Sequence, residues 1–197
     1  MIQEKYRVLP GPEGFITPSA AMMGVVLPDS GYSLVEGDIV PEAQAVELIA
    51  NKLINAKNAV ICPGPLLMWQ WAESAAAKAA AVKELAETCG AKILPMPDYR
   101  QKRINPAAEI SPNHPNVTIM NNNFDVCVFA GMHSHHANMA LRLIRGGTSC
   151  YTIALCDYAA CEEAMVSLRD VDAGKIKTIT RKVNDMKRNS GYLPSRG

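Results

Sequence analysis

The chain has 197 residues, enough for one large domain or one domain with an appendage, and 48% of them are hydrophobic, enough for a full core. Its formal net charge of +1 argues against a general nucleic-acid binder or a protein that binds acidic membranes. No apolar run reaches the roughly 20 residues that span a bilayer, and the N-terminus lacks the apolar core of a signal peptide. These features predict a cytoplasmic protein.

Residues 1–40 are predicted to form an extended N-terminal arm. Proline and glycine recur throughout this segment and prevent long regular elements. The segment is also too rich in large apolar side chains to be a solvated tail. We expect the arm either to wrap around its own domain or to lie on a partner, because exposed apolar stretches of this size mark interaction surfaces.

Residues 41–189 are predicted to form a Rossmann-like α/β domain, and residues 190–197 a flexible tail. A helix should open at Pro41, because proline is tolerated in the first helical turn. The later predictions are strand 58–62, helix 69–89, strand 92–96, an irregular segment 97–115, strand 124–131, helix 135–145, strand 150–155, a loosely helical stretch 159–168 and helix 172–187. This alternation predicts a three-layer, doubly wound, mostly parallel sheet.

Two helix caps are predicted from single residues. Gly90 follows the alanine-rich helix and is placed to end it in the left-handed conformation. Asp172 precedes the last helix, and its carboxylate can accept a hydrogen bond from a free amide of the first turn.

The cysteine pattern indicates free thiols in a reducing, anaerobic cytoplasm. Cys62, Cys127 and Cys150 fall in or beside predicted strands, where free cysteine behaves as a small apolar residue. Cys156 and Cys161 have no accompanying C-x-x-C, and an iron–sulfur cluster normally needs four thiolates. Neither a disulfide framework nor a cluster is therefore expected.

Three predicted strands run into turns that should share one edge of the sheet, where open α/β sheets bind ligands. The turn at Gly131 is the better phosphate cradle, because its amides begin a helix beside a hydroxyl and an imidazole. The prolines beside Gly64 remove amide donors, and no glycine-rich nucleotide motif is present. The candidate cofactor-binding residues are Pro63, Gly64, Gly131, Met132, His133, Ser134, Cys156, Asp157 and Tyr158.

Neither a metal site nor a catalytic set is predicted. His133, His135 and His136 are close in sequence, but consecutive helical residues point in different directions and no carboxylate or cysteine joins them at ligand spacing. Ser134 beside these histidines does not predict a relay, because such roles are set by geometry. Glu163 is interpreted, with its neighbour Glu162, as part of a solvated face.

Five segments of the domain carry a family resemblance: residues 56–61, 123–131, 141–144, 151–157 and 163–168. Through them the chain resembles the epsilon subunit of the acetyl-CoA decarbonylase/synthase complex, a family also described as the CO dehydrogenase beta-subunit family. The resemblance covers about three quarters of the chain. The first forty residues and the region 97–115 depart from the family pattern.

The resemblance implies a fold like the deoxyhypusine-synthase type of NAD/FAD-binding domain. It also implies a hetero-oligomer in which this chain is an accessory subunit of the nickel–iron–sulfur CO dehydrogenase subunit and, through it, of acetyl-CoA synthase. The implied role is to stabilise the complex or to help electron exchange, with FAD or another nucleotide as cofactor. The alternative is a flavin- or dinucleotide-binding electron-transfer protein, with its pocket at the three turns.

Overall fold

The computed structural model describes residues 27–70, 72–97 and 108–189, and these residues build one sheet with helices on both faces. The strands are β1 (Tyr32–Val35), β2 (Asp38–Pro41), β3 (Ala59–Pro63), β4 (Lys92–Ile93), β5 (Val126–Ala130), β6 (Tyr151–Leu155) and β7 (Val166–Leu168). The helices are α1 (Glu42–Asn55), α2 (Pro65–Met68), α3 (Ala75–Cys89), α4 (Pro115–Asn121), α5 (Ser134–Gly147) and α6 (Ala173–Asn189).

The seven strands form a mixed sheet in the order β2-β1-β7-β6-β5-β3-β4. The five strands from β7 to β4 are parallel to one another, whereas β1 is antiparallel to both β2 and β7. From β3 the chain passes outward to β4 and then returns to β5 on the other side of β3. The predicted α/β class is therefore confirmed, and the strand order reverses between β3 and β5.

Alternating side chains of the central strands face two separate cores. Ala59 and Ile61 of β3 point to the side covered by α1, α3 and α6, where α6 contacts both other helices. Val60 and Cys62 point to the side covered by α4 and α5. Both faces of β5 and β6 are buried, as expected for parallel strands between two helical layers.

Both predicted helix caps are present. Gly90 adopts φ +68° after α3, and its N–H donates to the Ala86 carbonyl, as does the Ala91 N–H at 2.9 Å. At the start of α6 the Lys175 N–H donates to Asp172 Oδ1 at 2.8 Å. Each cap satisfies backbone groups that have no partner inside its helix.

The segment predicted as an extended arm contains a β-hairpin. β1 and β2 pair with each other, and Leu34 and Val35 of β1 pair with Ser167 and Val166 of β7. The hairpin thus extends the sheet by two strands. Residues 1–26 of the predicted arm, like residues 190–197 of the predicted tail, lie outside the described residues.

Three other predicted elements differ from the structure. The helix predicted over 69–89 begins at Ala75, after the short helix α2. The strand predicted over 92–96 covers only Lys92–Ile93. The segment 97–115 is not among the three: it ends as predicted where α4 begins at Pro115, and its residues 98–107 are not described. The prediction of a loose helix over 159–168 is wrong: the segment consists of turns followed by β7. Val166 and Leu168 pair with β6, and this long-range pairing outweighs the local helical preference of the sequence.

Candidate functional site

The turns that follow β3 and β5 are joined by backbone hydrogen bonds. The Gly64 N–H donates to the Ala130 carbonyl at 2.8 Å, and the Leu66 N–H donates to the Gly131 carbonyl at 3.0 Å. These bonds continue the pairing of β3 and β5 beyond their last residues. The structure therefore places Pro63 and Gly64 directly beside Gly131, as the sequence predicts for neighbouring strand ends.

The two glycines of these turns are required by the closeness of the chain. A Cβ at Gly64 would lie 2.2 Å from Met132 Cγ, and a Cβ at Gly131 would lie 2.3 Å from Leu67 Cγ. Gly131 also adopts φ +67°, a conformation that other residues rarely occupy. The space between the turns is filled by the buried side chains of Leu67 and Met132. Glycine thus serves tight packing here.

His133 links β5 to α5 and leads into a cluster of three imidazole rings. The His135 and His136 ring centroids are 4.1 Å apart, and the His133 centroid lies 6.0 Å and 6.3 Å from them. Ser134 is the first residue of α5, and the Ala137 N–H donates to the His133 carbonyl at 2.9 Å. Within the described residues, no three His, Cys, Asp or Glu side chains are arranged to hold a metal ion.

The turn after β6 carries charged and sulfur-bearing side chains. The Asp157 carboxylate accepts a hydrogen bond from Lys78 Nζ of α3, although Lys78 is only 8% exposed. Cys156 is buried, and its Sγ lies 2.8 Å from Sγ of Cys161. Tyr158, in contrast, is 77% exposed. Because β3, β5 and β6 are adjacent and parallel, all nine predicted residues lie at one edge of the sheet.

Two charged pairs that join helices to the segment between β6 and β7 were not predicted from the sequence: Lys78–Asp157 and Arg145–Glu163. Glu163 does not lie on a solvated face: it is 1% exposed and its carboxylate accepts a hydrogen bond from Arg145 of α5. Burial raises the pKa of Glu163, although Arg145 beside it favours the charged form. Lys78 and Arg145 both stand within the buried faces of their helices. The signal available in the sequence was a basic residue inside the apolar stripe of a helix, which indicates a buried partner of opposite charge.

A surface groove of about 470 Å³ lies elsewhere, between α1 and α6. None of the nine candidate residues lines it; its walls are Glu42, Ala43, Val46, Thr178, Arg181, Lys182 and Asp185. Among the helices of the described residues, none combines the length and the apolar character that crossing a membrane requires.

Comparison with known proteins identifies the family. No curated protein matches the chain significantly. The family described as "CO dehydrogenase beta subunit/acetyl-CoA synthase epsilon subunit" matches residues 25–182. That range contains the β1–β2 hairpin, all seven strands and most of α6, so it spans nearly all of the described fold. The chain belongs to the CO dehydrogenase beta subunit/acetyl-CoA synthase epsilon subunit family.

Proposed function

We propose that this chain is an accessory, epsilon-type subunit of a CO dehydrogenase/acetyl-CoA synthase complex, where it binds and stabilises the nickel–iron–sulfur CO dehydrogenase subunit. The observation that supports the proposal most strongly is the family match, which spans residues 25–182. In this role the chain supplies a binding surface, while the partner holds the metal cluster at which CO is oxidised.

The packing at the sheet edge favours a role in binding a protein partner over a role in binding a cofactor. The Gly64 amide, which would have to face a pyrophosphate, already donates to Ala130. Leu67 and Met132 occupy the space between the turns. The Gly64 amide is therefore not available to the phosphates of a nucleotide in this conformation. Binding of FAD or another nucleotide stays a prediction.

The outer face of α4 and α5 has the properties expected of the contact with the catalytic subunit. It exposes three large apolar side chains: Val117 is 40% exposed, Met120 is 55% exposed and Met139 is 50% exposed. α4 and α5 pack together and bury their other sides against the sheet. Methionine adapts its shape to a facing surface, and it is enriched at protein interfaces.

The test is co-expression with the CO dehydrogenase catalytic subunit encoded in the same genome, followed by purification through a tag on that subunit. We expect the full chain to co-purify in a fixed ratio, measured by native mass spectrometry. Met120→Glu should reduce the recovered chain at least about tenfold, because burying an unpaired carboxylate in an interface costs more than 1.4 kcal/mol. Thr178→Glu, which adds the same charge on exposed α6, is the matched control and should bind normally.

Two outcomes would contradict the proposal. One is a full-length chain that stays monomeric beside an intact catalytic subunit. The other is a yellow protein that releases a flavin on denaturation and transfers electrons without the partner, which would favour the electron-transfer alternative. Normal binding of Met120→Glu would contradict only the assignment of the α4–α5 face.

A further inference from the structure

We propose that Cys156 and Cys161 form a reversible dithiol–disulfide couple at the end of β6, a two-electron redox site that needs no bound cofactor. The two thiols are free in the described structure, and their sulfur atoms are 2.8 Å apart. A disulfide bond is about 2.05 Å long, so a small movement of the side chains would bring the sulfurs to bonding distance. The inference does not depend on the proposed function.

The backbone on both sides holds the two sulfurs together. Cys156 is fixed to the strand beside it, since its N–H donates to the Leu168 carbonyl at 3.0 Å and its carbonyl accepts from Val171 at 2.9 Å. Cys161 is fixed by its N–H, which donates to Ser167 Oγ at 2.7 Å. Ser167 Oγ also lies 3.5 Å from Cys156 Sγ. One hydroxyl therefore anchors both cysteines.

The surroundings distinguish the two thiols as an attacking and a resolving cysteine. In the neutral pair Cys156 donates to Cys161; once Cys156 loses its proton, the Cys161 S–H becomes the donor and lowers the pKa of Cys156. The same hydrogen bond, with burial, raises the pKa of Cys161. Cys156 is 6% exposed and Cys161 is 1% exposed, below a turn in which Tyr158 and Ala159 are exposed. Cys156 is thus both the easier thiolate to form and the easier one to reach.

The oxidant in this proposal is a disulfide compound, which we write RSSR. The Cys156 thiolate attacks one sulfur of RSSR, the S–S bond of the oxidant breaks, and one RS⁻ leaves. Cys161, as its thiolate, then attacks Cys156 Sγ of the mixed disulfide and releases the second RS⁻. The two protons lost by the cysteine thiols end on the two RS⁻ groups, so RSSR is reduced by two electrons to two RSH. The cysteines are oxidised to a Cys156–Cys161 disulfide.

A second buried pair provides the internal comparison. Cys62 of β3 and Cys127 of β5 have sulfurs 3.7 Å apart, and both are completely buried between the sheet and the α4–α5 layer. Burial, with the hydrogen bond to Cys62, raises the pKa of Cys127 well above its usual value. This pair has similar chemistry, but it lacks access from solvent and its sulfurs lie farther apart than those of Cys156 and Cys161. We therefore expect it to stay reduced.

The test exposes the full chain, purified without air, to the small probe 2-hydroxyethyl disulfide and, separately, to glutathione disulfide. After denaturation, alkylable cysteines are counted by intact mass and the disulfide is mapped by peptide mass spectrometry. We expect the six free cysteines to fall to four in the main product, with one disulfide joining Cys156 and Cys161, and dithiothreitol to restore all six. Six reactive cysteines after prolonged treatment with either probe, or a disulfide at another pair, would overturn the proposal.

Variants test the order of attack. Cys161→Ser should accumulate a mixed disulfide at Cys156, whereas Cys156→Ser should react at Cys161 at least tenfold more slowly. Cys127→Ala, in the comparison pair, should leave the Cys156–Cys161 disulfide unchanged. Equal rates for the two serine variants would overturn the assigned order. If either variant fails to fold by circular dichroism, peptide mapping of the unmodified chain still decides whether the couple exists.

Discussion

Two stretches of the structure differ in how they are stabilised. At the turns after β3 and β5, two glycines let the backbones meet and apolar side chains fill the remaining space. Between β6 and β7, two charged pairs and two thiols are buried, and each charged partner comes from a distant helix. The first stretch depends on shape and the second on paired polar groups, so they should respond differently to substitution.

The largest effect is expected where one charge of the polar stretch loses its partner. Arg145→Met should lower the free energy of unfolding by about 3–5 kcal/mol, because it leaves the Glu163 carboxylate buried and unpaired. Chemical denaturation monitored by circular dichroism measures this loss. The double variant Arg145→Met/Glu163→Met should recover most of it, since neither charge is then buried. A double variant as unstable as Arg145→Met would show that shape, rather than charge pairing, governs this stretch.

Gly131→Ala tests the close-packed stretch. The added methyl group would collide with Leu67 in addition to straining a positive φ, so we expect a loss of about 2–4 kcal/mol in unfolding free energy. Gly90→Ala is the matched control: its φ is +68°, but nothing lies within 4 Å of its Cβ position. It should cost only about 1 kcal/mol. Equal losses in the two variants would mean that the turns after β3 and β5 are not tightly packed.

Lys78→Met tests the more accessible charged pair of the polar stretch. Asp157 keeps a side-chain exposure of 18%, so water can partly replace Lys78, and we expect a loss of about 1–2 kcal/mol. Lys83→Met, on the same helix, removes an ion pair whose side chains are 72% and 68% exposed. That control should change stability by less than about 0.5 kcal/mol. A larger loss at Lys83 than at Lys78 would contradict the importance of the buried pair.

The smallest effect concerns pH. Because burial raises the pKa of Glu163 in the folded chain, the folded state holds that proton more tightly than the unfolded state does. The resulting stability is complete below the ordinary glutamate value of about 4.3 and is lost as pH rises through the raised pKa. The free energy of unfolding of the native chain minus that of Glu163→Gln should therefore fall as pH rises. A difference that rises with pH would show that Arg145 dominates over burial.

The elements that were predictable from sequence are those stabilised by contacts within one turn and those marked by a continuous run of apolar residues. β5 is apolar throughout, β6 is apolar except for Thr152, and Gly90 and Asp172 are caps that act within one turn. β7 was not predictable, because Val166–Leu168 is too short to show a pattern and is a strand only through its pairing with β6 and β1. The neighbouring glutamates and alanines favour a helix that the fold does not form.

The candidate site was predictable in its position but not in its character. Adjacent parallel strands bring their carboxyl ends together, so the nine predicted residues share one edge. Sequence alone could not show that each glycine lies against the turn that contains the other. That closeness depends on the register of β3 and β5. Nor could sequence alone pair Glu163 with Arg145, or Asp157 with Lys78, since each pair joins separate elements across a core.

The most direct test of the central claim is native mass spectrometry of the chain co-expressed with the CO dehydrogenase catalytic subunit from the same organism. We expect one stable assembly that contains both polypeptides in a fixed ratio, in which the catalytic subunit melts at a higher temperature than it does alone. Two separate species, with an unchanged melting temperature for the catalytic subunit, would contradict it.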